Sequence, residues 1–285
     1  MYGSNNWYYA YGHSSEEEIL ADTDYLISMT EGLPNRPYMV IDDGWQKSRT
    51  DAYNGGPWDR GNRYFPDMER LAGEIRARGA IPGIWFRPLL DREADLPEEA
   101  RILRKRLNSE EISLPEEARL QQEAASAYHT LILGCNVIGH LTAGLEHLHR
   151  TGDDTSGFEW ERTMRMGVNA LAMRMPQHHT FFDCDADCLG ITGEIPWEYN
   201  RRWGQLLASS GTPFFVSVKP GVLTENEKDE LAGFLRAAAS PQPPACPVDW
   251  EETIYPQEWE SSEMRLHFDW YPEAGISVLR EFMNV

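Results

Sequence analysis

The sequence predicts an α/β fold: a parallel (β/α) barrel of the TIM type with seven recognisable strands, one short of eight, and a short C-terminal β appendage. Two observations carry this. Short apolar or aromatic runs alternate with helix-like stretches over the first 220 residues, and strand alternating with helix builds a parallel sheet. Most runs also end in polar residues: Asp42, Asp43, Arg87, Asn136, Asp153, Asp154, Asp185 and Asp187. A barrel carries its site at the C-terminal ends of its strands. The length of 285 residues agrees, since such a barrel takes ~250.

In chain order, Asn6–Tyr11 is the first expected strand. Ser14-Ser15-Glu16-Glu17-Glu18 then opens a helix, because a serine caps free amides and first-turn acids meet the positive end of the dipole. Tyr38–Gln46 is the second strand, with Tyr38–Ile41 buried and Asp42 and Asp43 delivered to the rim. Phe65-Pro66-Asp67 opens a helix that runs through Met68, Leu71 and Ile75 and closes at Gly79. Ile81–Arg87 is the third strand. From Asp91 to about Tyr128 the rhythm breaks into charged, helix-prone sequence, and Leu-Pro-Glu-Glu-Ala-Arg occurs twice, at 96–101 and 114–119. Each copy reads as a helix start with proline early. No strand is found there, and helices are expected to cover the gap, because an open sheet edge otherwise pairs with other chains.

Leu131–Asn136, His147–Asp154, Thr180–Asp187 and Pro213–Val218 complete the strands, with helices expected over Trp197–Leu207 and Thr224–Ala239. Ser240-Pro241-Gln242-Pro243-Pro244 reads as a stiff linker. The expected division is therefore 1–239 for the barrel and 240–285 for the linker and a small β segment, around Arg265–Tyr271 and Ile276–Glu281.

An apolar fraction of 41% beside 25% charged residues is enough for a sizeable core. The formal net charge of −20 repels phosphate backbones and anionic lipid, so nucleic acid and membrane surfaces are poor partners and a neutral small molecule fits better. No apolar run reaches the ~20 residues of a membrane span. The N-terminal residues carry no signal-peptide pattern, and the expected location is cytoplasmic. Cys135, Cys184, Cys188 and Cys246 contain no Cys-x-x-Cys pair. They read as free thiols, with a Cys184–Cys188 redox or metal pair as the alternative. No cofactor is expected.

The chemistry-bearing stretches have two readings each. Ile41-Asp42-Asp43-Gly44-Trp45 places paired carboxylates beside an aromatic ring, the equipment for holding sugar hydroxyls and stacking on the apolar face of the ring. It also fits a plain strand-end turn. In Arg150-Thr151-Gly152-Asp153-Asp154-Thr155, glycine frees the backbone after a strand and the arginine can set a neighbouring carboxyl's pKa; Asp153-Asp154-Thr155 also fits a helix cap. Asp183, Asp185 and Asp187 alternate on one strand face. A hard-cation site is one reading and a sugar-site strand end the other. His178 and His179 read as a strand approach rather than a ligand pair. Asn54-Gly55-Gly56-Pro57-Trp58 reads as a turn carrying an aromatic lid.

Taken together these residues resemble the clan D glycoside hydrolases, most closely the family 36 α-galactosidases and their raffinose-synthase-like relatives. The matching pieces are Asn6-Trp7-Tyr8-Tyr9-Ala10-Tyr11-Gly12, Ile41-Asp42-Asp43-Gly44-Trp45-Gln46, Phe65-Pro66-Asp67-Met68, Ile81-Pro82-Gly83-Ile84-Trp85, Ile132-Leu133-Gly134-Cys135-Asn136, Arg150 to Thr155, and Asp185-Ala186-Asp187-Cys188. They occur in family order over roughly residues 5–220. The resemblance implies a retaining O-glycosyl hydrolase acting on terminal α-galactosides, without a catalytic metal. It implies Asp154 as acid/base, Arg150 as a substrate-binding residue, and Asp42 and Asp43 as the pair that holds the galactose hydroxyls. Trp7 and Trp85 match positions around the sugar. Asp185, together with Asp187, matches an acid near the seventh strand end.

One family element is missing. The nucleophile belongs at the end of a fourth strand, and between Arg87 and Leu131 no acid follows an apolar run. Asp91, just past the third strand, is the nearest substitute; an inverting route would need a wider carboxyl gap. Two functions remain, an α-galactosidase-like hydrolase with impaired or rerouted chemistry and a catalytically silent sugar-binding protein. The open edges left by the gap favour a homo-oligomer as the alternative to helical cover.

Overall fold

A computed structural model describes residues 1–50, 52–87, 90, 98, 101–102, 114–241 and 243–271. Strands β1 (Tyr2–Ser4), β2 (Tyr38–Ile41) and β3 (Ile81–Ile84) are parallel neighbours. Further along lie β4 (Leu133–Gly134), β5 (Leu148–Arg150), β6 (Asp183–Asp185), β7 (Leu189–Ile191) and β8 (Phe214–Val218). They form two parallel sheets, one in the order β3-β2-β1-β8-β7 and one in the order β4-β5-β6.

The sheets meet at a bend. β6 pairs with β5 while β7 pairs with β8, and between them Asp187 adopts a left-handed backbone with φ of 77°. β6 and β7 are thus two halves of one bent strand, and counted so the parallel strands number seven. Between β3 and β4 no pairing exists among the described residues. Among the described residues, therefore, the expected barrel does not close between β3 and β4.

The first strand is not where the aromatic run suggested. Asn6–Tyr11 is helical: α1 spans Trp7–Ala10, the amide of Ala10 donates to Asn6 O at 3.0 Å and that of Tyr11 to Trp7 O at 2.9 Å. The strand is the short Tyr2–Ser4 before it, whose Gly3 lets the chain press against β2. A Cβ at Gly3 would stand 2.3 Å from the Tyr38 carbonyl oxygen. Glycine lowers strand propensity, so this strand is weak as sequence and is held by its neighbours.

The expected helices that fall on described residues form with the expected caps, whereas most of the first copy of the repeat and most of the expected helical cover lie outside the described residues. In α2 (Glu16–Thr30) the Ser15 hydroxyl accepts the Glu18 amide. In α3 (Met68–Arg78) Asp67 accepts the Arg70 amide at 2.9 Å, and Gly79 closes the helix with φ of 103°. Leu71 and Ile75 of α3 bury against Ile19, Met39 and Trp45, a cluster beneath β2. Helix Leu114–Ala127 covers the second copy of the repeat, with Pro115 as its second residue. Helices Trp197–Ser209 and Glu225–Ala238 follow, the latter opened by a Thr224/Glu227 capping box. No helix among the described residues is long and apolar enough to cross a membrane.

The C-terminal β segment is a three-stranded antiparallel sheet of β9 (Cys246–Pro247), β10 (Glu258–Glu260) and β11 (Arg265–His267). It shares the main core: Trp259, Phe268 and Trp270 pack in one cluster with Trp160, Val168, Trp203 and Phe214. The Trp160 indole donates to Trp270 O at 2.8 Å. The expected strand at Ile276–Glu281 lies outside the described residues.

Candidate active site

Arg150 ends β5, directly opposite Asp185 of β6. Both project where the strands stop, at the sheet's C-terminal edge. The guanidinium meets three carboxylates: Asp185 at 3.0 Å through Nε, Asp187 at 3.1 Å and Asp154 at 3.3 Å. Asp185 and Asp187 are fully buried, and buried acids persist when paired and hydrogen-bonded.

Asp187 is the hub. Its Oδ2 accepts the Tyr8 hydroxyl, the Thr155 amide at 2.7 Å and the Thr155 hydroxyl at 2.8 Å. Its Oδ1 accepts the Cys188 amide at 2.6 Å. Aspartate tolerates the left-handed backbone this bend requires, so one residue both turns the strand and anchors α1 through Tyr8.

Asp154 is held more loosely, with its side chain 39% exposed. Burial and the charge of Asp187 push its carboxyl above the usual range, opposed by Arg150 and by a hydrogen bond from the Trp7 side chain. Asp42 faces the same centre. Burial pushes its carboxyl up to about 7, against the Asp43 amide and Arg150, with Asp43 and Asp154 adding to the rise. A protonated carboxyl near neutral pH is what a general acid requires.

The other expected site residues divide. Trp7 reaches the centre through Asp154. Asp43 does not meet Arg150; its Oδ1 accepts from Gln46 at 2.7 Å and its Oδ2 pairs with Arg49 at 3.2 Å, which fixes the loop after β2. Trp85 lies in an aromatic stack with Trp58, 5.9 Å away edge-on, and its carbonyl accepts the Trp45 indole at 2.8 Å. Trp58, expected as a lid, is a member of that stack. Asp91 lies outside the described residues.

Several residues at the centre were not singled out from sequence. Tyr8 and Thr155 hold Asp187. Cys135, just after β4, feels Arg150, Asp154, Asp185 and Asp187, and burial pushes its thiol up to about 11. Its only sequence signal was membership of the Gly134-Cys135-Asn136 motif. All four cysteines are free.

Arg150 occupies the space between Asp185 and Asp187, and Asp183 pairs with His179 at 2.9 Å. His178, His179 and Asp183 do cluster, but His178 Nδ1 accepts the Cys184 amide at 3.0 Å. A neutral imidazole whose Nδ1 lone pair is engaged carries its proton on Nε2 and offers a metal nothing. Burial and His179 lower this ring's pKa to about 4.

The chain is thus an α/β fold of parallel strands, with carboxylates and an arginine gathered at the strand ends. The α-galactosidase I of Mortierella vinacea superposes with a TM-score of 0.64 at 15% identity, over 91% of this chain and 76% of that one. The Saccharomyces cerevisiae α-galactosidase solved with raffinose gives 0.61 at 15% identity, over 91% and 69%. A family 27 β-L-arabinopyranosidase from Geobacillus stearothermophilus, solved with arabinose, gives 0.63 at 13% identity, over 92% and 81%. By sequence the chain matches no family model and no curated protein. The likeness is one of fold.

Proposed function

We propose that the chain holds the terminal sugar of an α-galactoside and acts on it as a retaining-type glycoside hydrolase. The observation that carries this reading is the Arg150 centre: a guanidinium on Asp185 and Asp187, with two carboxyls of raised pKa, Asp42 and Asp154, beside it. Arg150 and Asp42 bind sugar hydroxyls, the first as donor and the second, half-protonated near neutrality, as donor or acceptor. Asp154 gives its proton to the leaving oxygen and takes one back from water. The resemblance in sequence motifs and the α-galactosidase fold neighbours supply the choice of galactoside.

The nucleophile is the open part. Asp185 and Asp187 are held by Arg150, Asp43 is held by Arg49 and Gln46, and Asp42 keeps a proton to about pH 7. None of these four is free to attack, and the candidate remains Asp91, which lies outside the described residues. The same engagement of acids favours a second reading, a sugar-binding protein without turnover.

Hydrolysis of p-nitrophenyl α-galactoside by the chain, Asp154→Asn and Asp91→Asn separates them. Turnover lost in both variants supports the hydrolase. Turnover lost only in Asp154→Asn removes Asp91. No turnover with saturable galactose binding supports the binding protein, and neither turnover nor binding ends both readings.

A further inference from the structure

The Arg150 centre stands at one end of the parallel strands; a cavity of about 630 Å³ opens at the other. Tyr2, Tyr38, Ile81, Leu148 and Asp183 line it, and each is the first residue of its strand, in β1, β2, β3, β5 and β6. The cavity therefore lies between the two sheets at their N-terminal ends. Leu148 and Arg150 are two residues apart on β5, or about 7 Å along the strand, so the two sites are distinct. Ile81 and Gly83 share a face of β3, and Gly83 brings no side chain to fill the space beside Ile81. A Cβ there would stand 3.0 Å from Val40 Cγ2.

Wall and rim differ in chemistry. Leu148 is buried, Tyr38 and Ile81 are half-buried, and Leu131, on the approach to β4, completes an apolar wall. The rim carries donors. Among the described residues Arg36 makes no hydrogen bond or ion pair, and the Tyr38 hydroxyl makes no hydrogen bond. His147 Nδ1 accepts the Ile132 amide at 3.1 Å, so the neutral ring carries its proton on Nε2 and can donate it. The acid of the lining is Asp183, and His179 Nδ1 lies 2.9 Å from it.

The loop that bears Arg36 is held in place. Pro34 and Pro37 fix two of its φ angles. The Tyr2 hydroxyl donates to Asn35 O, the Asn35 side chain to Ala239 O at 2.8 Å and the Ile81 amide to Pro37 O at 2.8 Å. The backbone beneath Arg36 is thus ordered before any ligand arrives, which removes that cost from binding.

We propose that this cavity binds a small carboxylic acid with an apolar body, its carboxylate on Arg36 and His147 and its body among Tyr38, Ile81, Leu131 and Leu148. A space of this size holds a small molecule. The apolar walls take its hydrocarbon, and a guanidinium grips a carboxylate through two parallel hydrogen bonds. The net charge of −20 does not repel such a ligand decisively, because charges beyond ~8 Å are screened at physiological salt whereas Arg36 is in contact. No residue of the Arg150 centre takes part, so the site does not depend on the galactoside reading.

Calorimetric titration of the full chain with 4-phenylbutyrate, the neutral 4-phenyl-1-butanol and the cationic 4-phenylbutylamine tests this. Wild type is compared with Arg36→Met and with Leu131→Trp, which narrows the cavity at an exposed position; unfolding temperature is the control on folding. The acid should bind saturably and about tenfold more tightly than the alcohol, the margin of one charge-assisted contact. Arg36→Met should abolish that margin and leave the alcohol's affinity level, and Leu131→Trp should weaken both. No saturable binding of the acid to wild type, an alcohol or amine bound as tightly as the acid, or a margin that survives in folded Arg36→Met overturns the site. So does an unchanged affinity for the acid in folded Leu131→Trp, which would put its binding elsewhere on the chain.

Discussion

Of the three carboxylates around Arg150, Asp154 is the most distant, at 3.3 Å, and the most exposed. The two buried acids fix the arginine; the third is open to solvent. Two buried acids and one exposed acid thus share a single cation.

Arg150→Met should destabilise the fold by ~3–5 kcal/mol, because it strips the partner from Asp185 and Asp187 while both remain buried. Denaturant unfolding measures this. A loss below about 1 kcal/mol would mean that the amides around Asp187 satisfy it without the guanidinium.

Asp42 and Asp22 give the fold a pH dependence of defined sign. Burial raises their carboxyls from 3.8 to about 7 and about 6. Between those values the native chain holds more protons than the unfolded chain, so their contribution to stability falls as pH rises from 3.8 towards 7. Asp42→Asn removes one such group. Its unfolding temperature relative to wild type should be higher at pH 8 than at pH 5; an offset that is the same at both pH values refutes the assignment.

Gly44 turns the chain just after the two acids, with φ of 114°, and a Cβ there would stand 2.3 Å from the Gly12 carbonyl oxygen. Gly44→Ala should cost at least ~1–3 kcal/mol and displace Asp42. The Asp42 carboxyl resonance, followed by NMR titration, should then move back towards the ordinary carboxylate range.

The C-terminal sheet should prove part of the core. Trp259 is fully buried with Trp160 and Trp203, so Trp259→Ala should cost ~3–5 kcal/mol in a single cooperative transition. Two separate transitions in which the main one is unshifted would instead mark 240–285 as an independent unit.

Much of this was legible in the chain. Ser15, Asp67, Gly79 and Thr224 end their helices as local chemistry dictates, since a cap depends on a residue and its neighbours within one turn. Ile41-Asp42 was legible as a strand end because an apolar run stopping at a charge marks where a sheet meets solvent, whereas the strand expected over His147–Asp154 stops at Arg150. The resemblance over the motifs led to the fold that the solved α-galactosidases share.

What failed did so for non-local reasons. Trp7-Tyr8-Tyr9 has the aromatic density of a strand but coils as α1, because Tyr8 and Tyr9 find their partners on Asp187 and Asp22. Tyr2-Gly3-Ser4 looks too poor to be a strand but lies between β2 and β8 and pairs with both.

The sequence by itself determined the alternation of strand and helix, the helix ends and the collection of acids at the strand tips, since each follows from periodicity or from contacts within a few residues. Only the tertiary structure decided which acids meet. Asp42, Asp154, Asp185 and Asp187 converge on Arg150 because the strands that carry them end at a common edge, whereas Asp43, one residue from Asp42, turns to Arg49. Both lie just past the end of β2, where the chain turns, and which of them faces the site is settled by packing across the whole sheet.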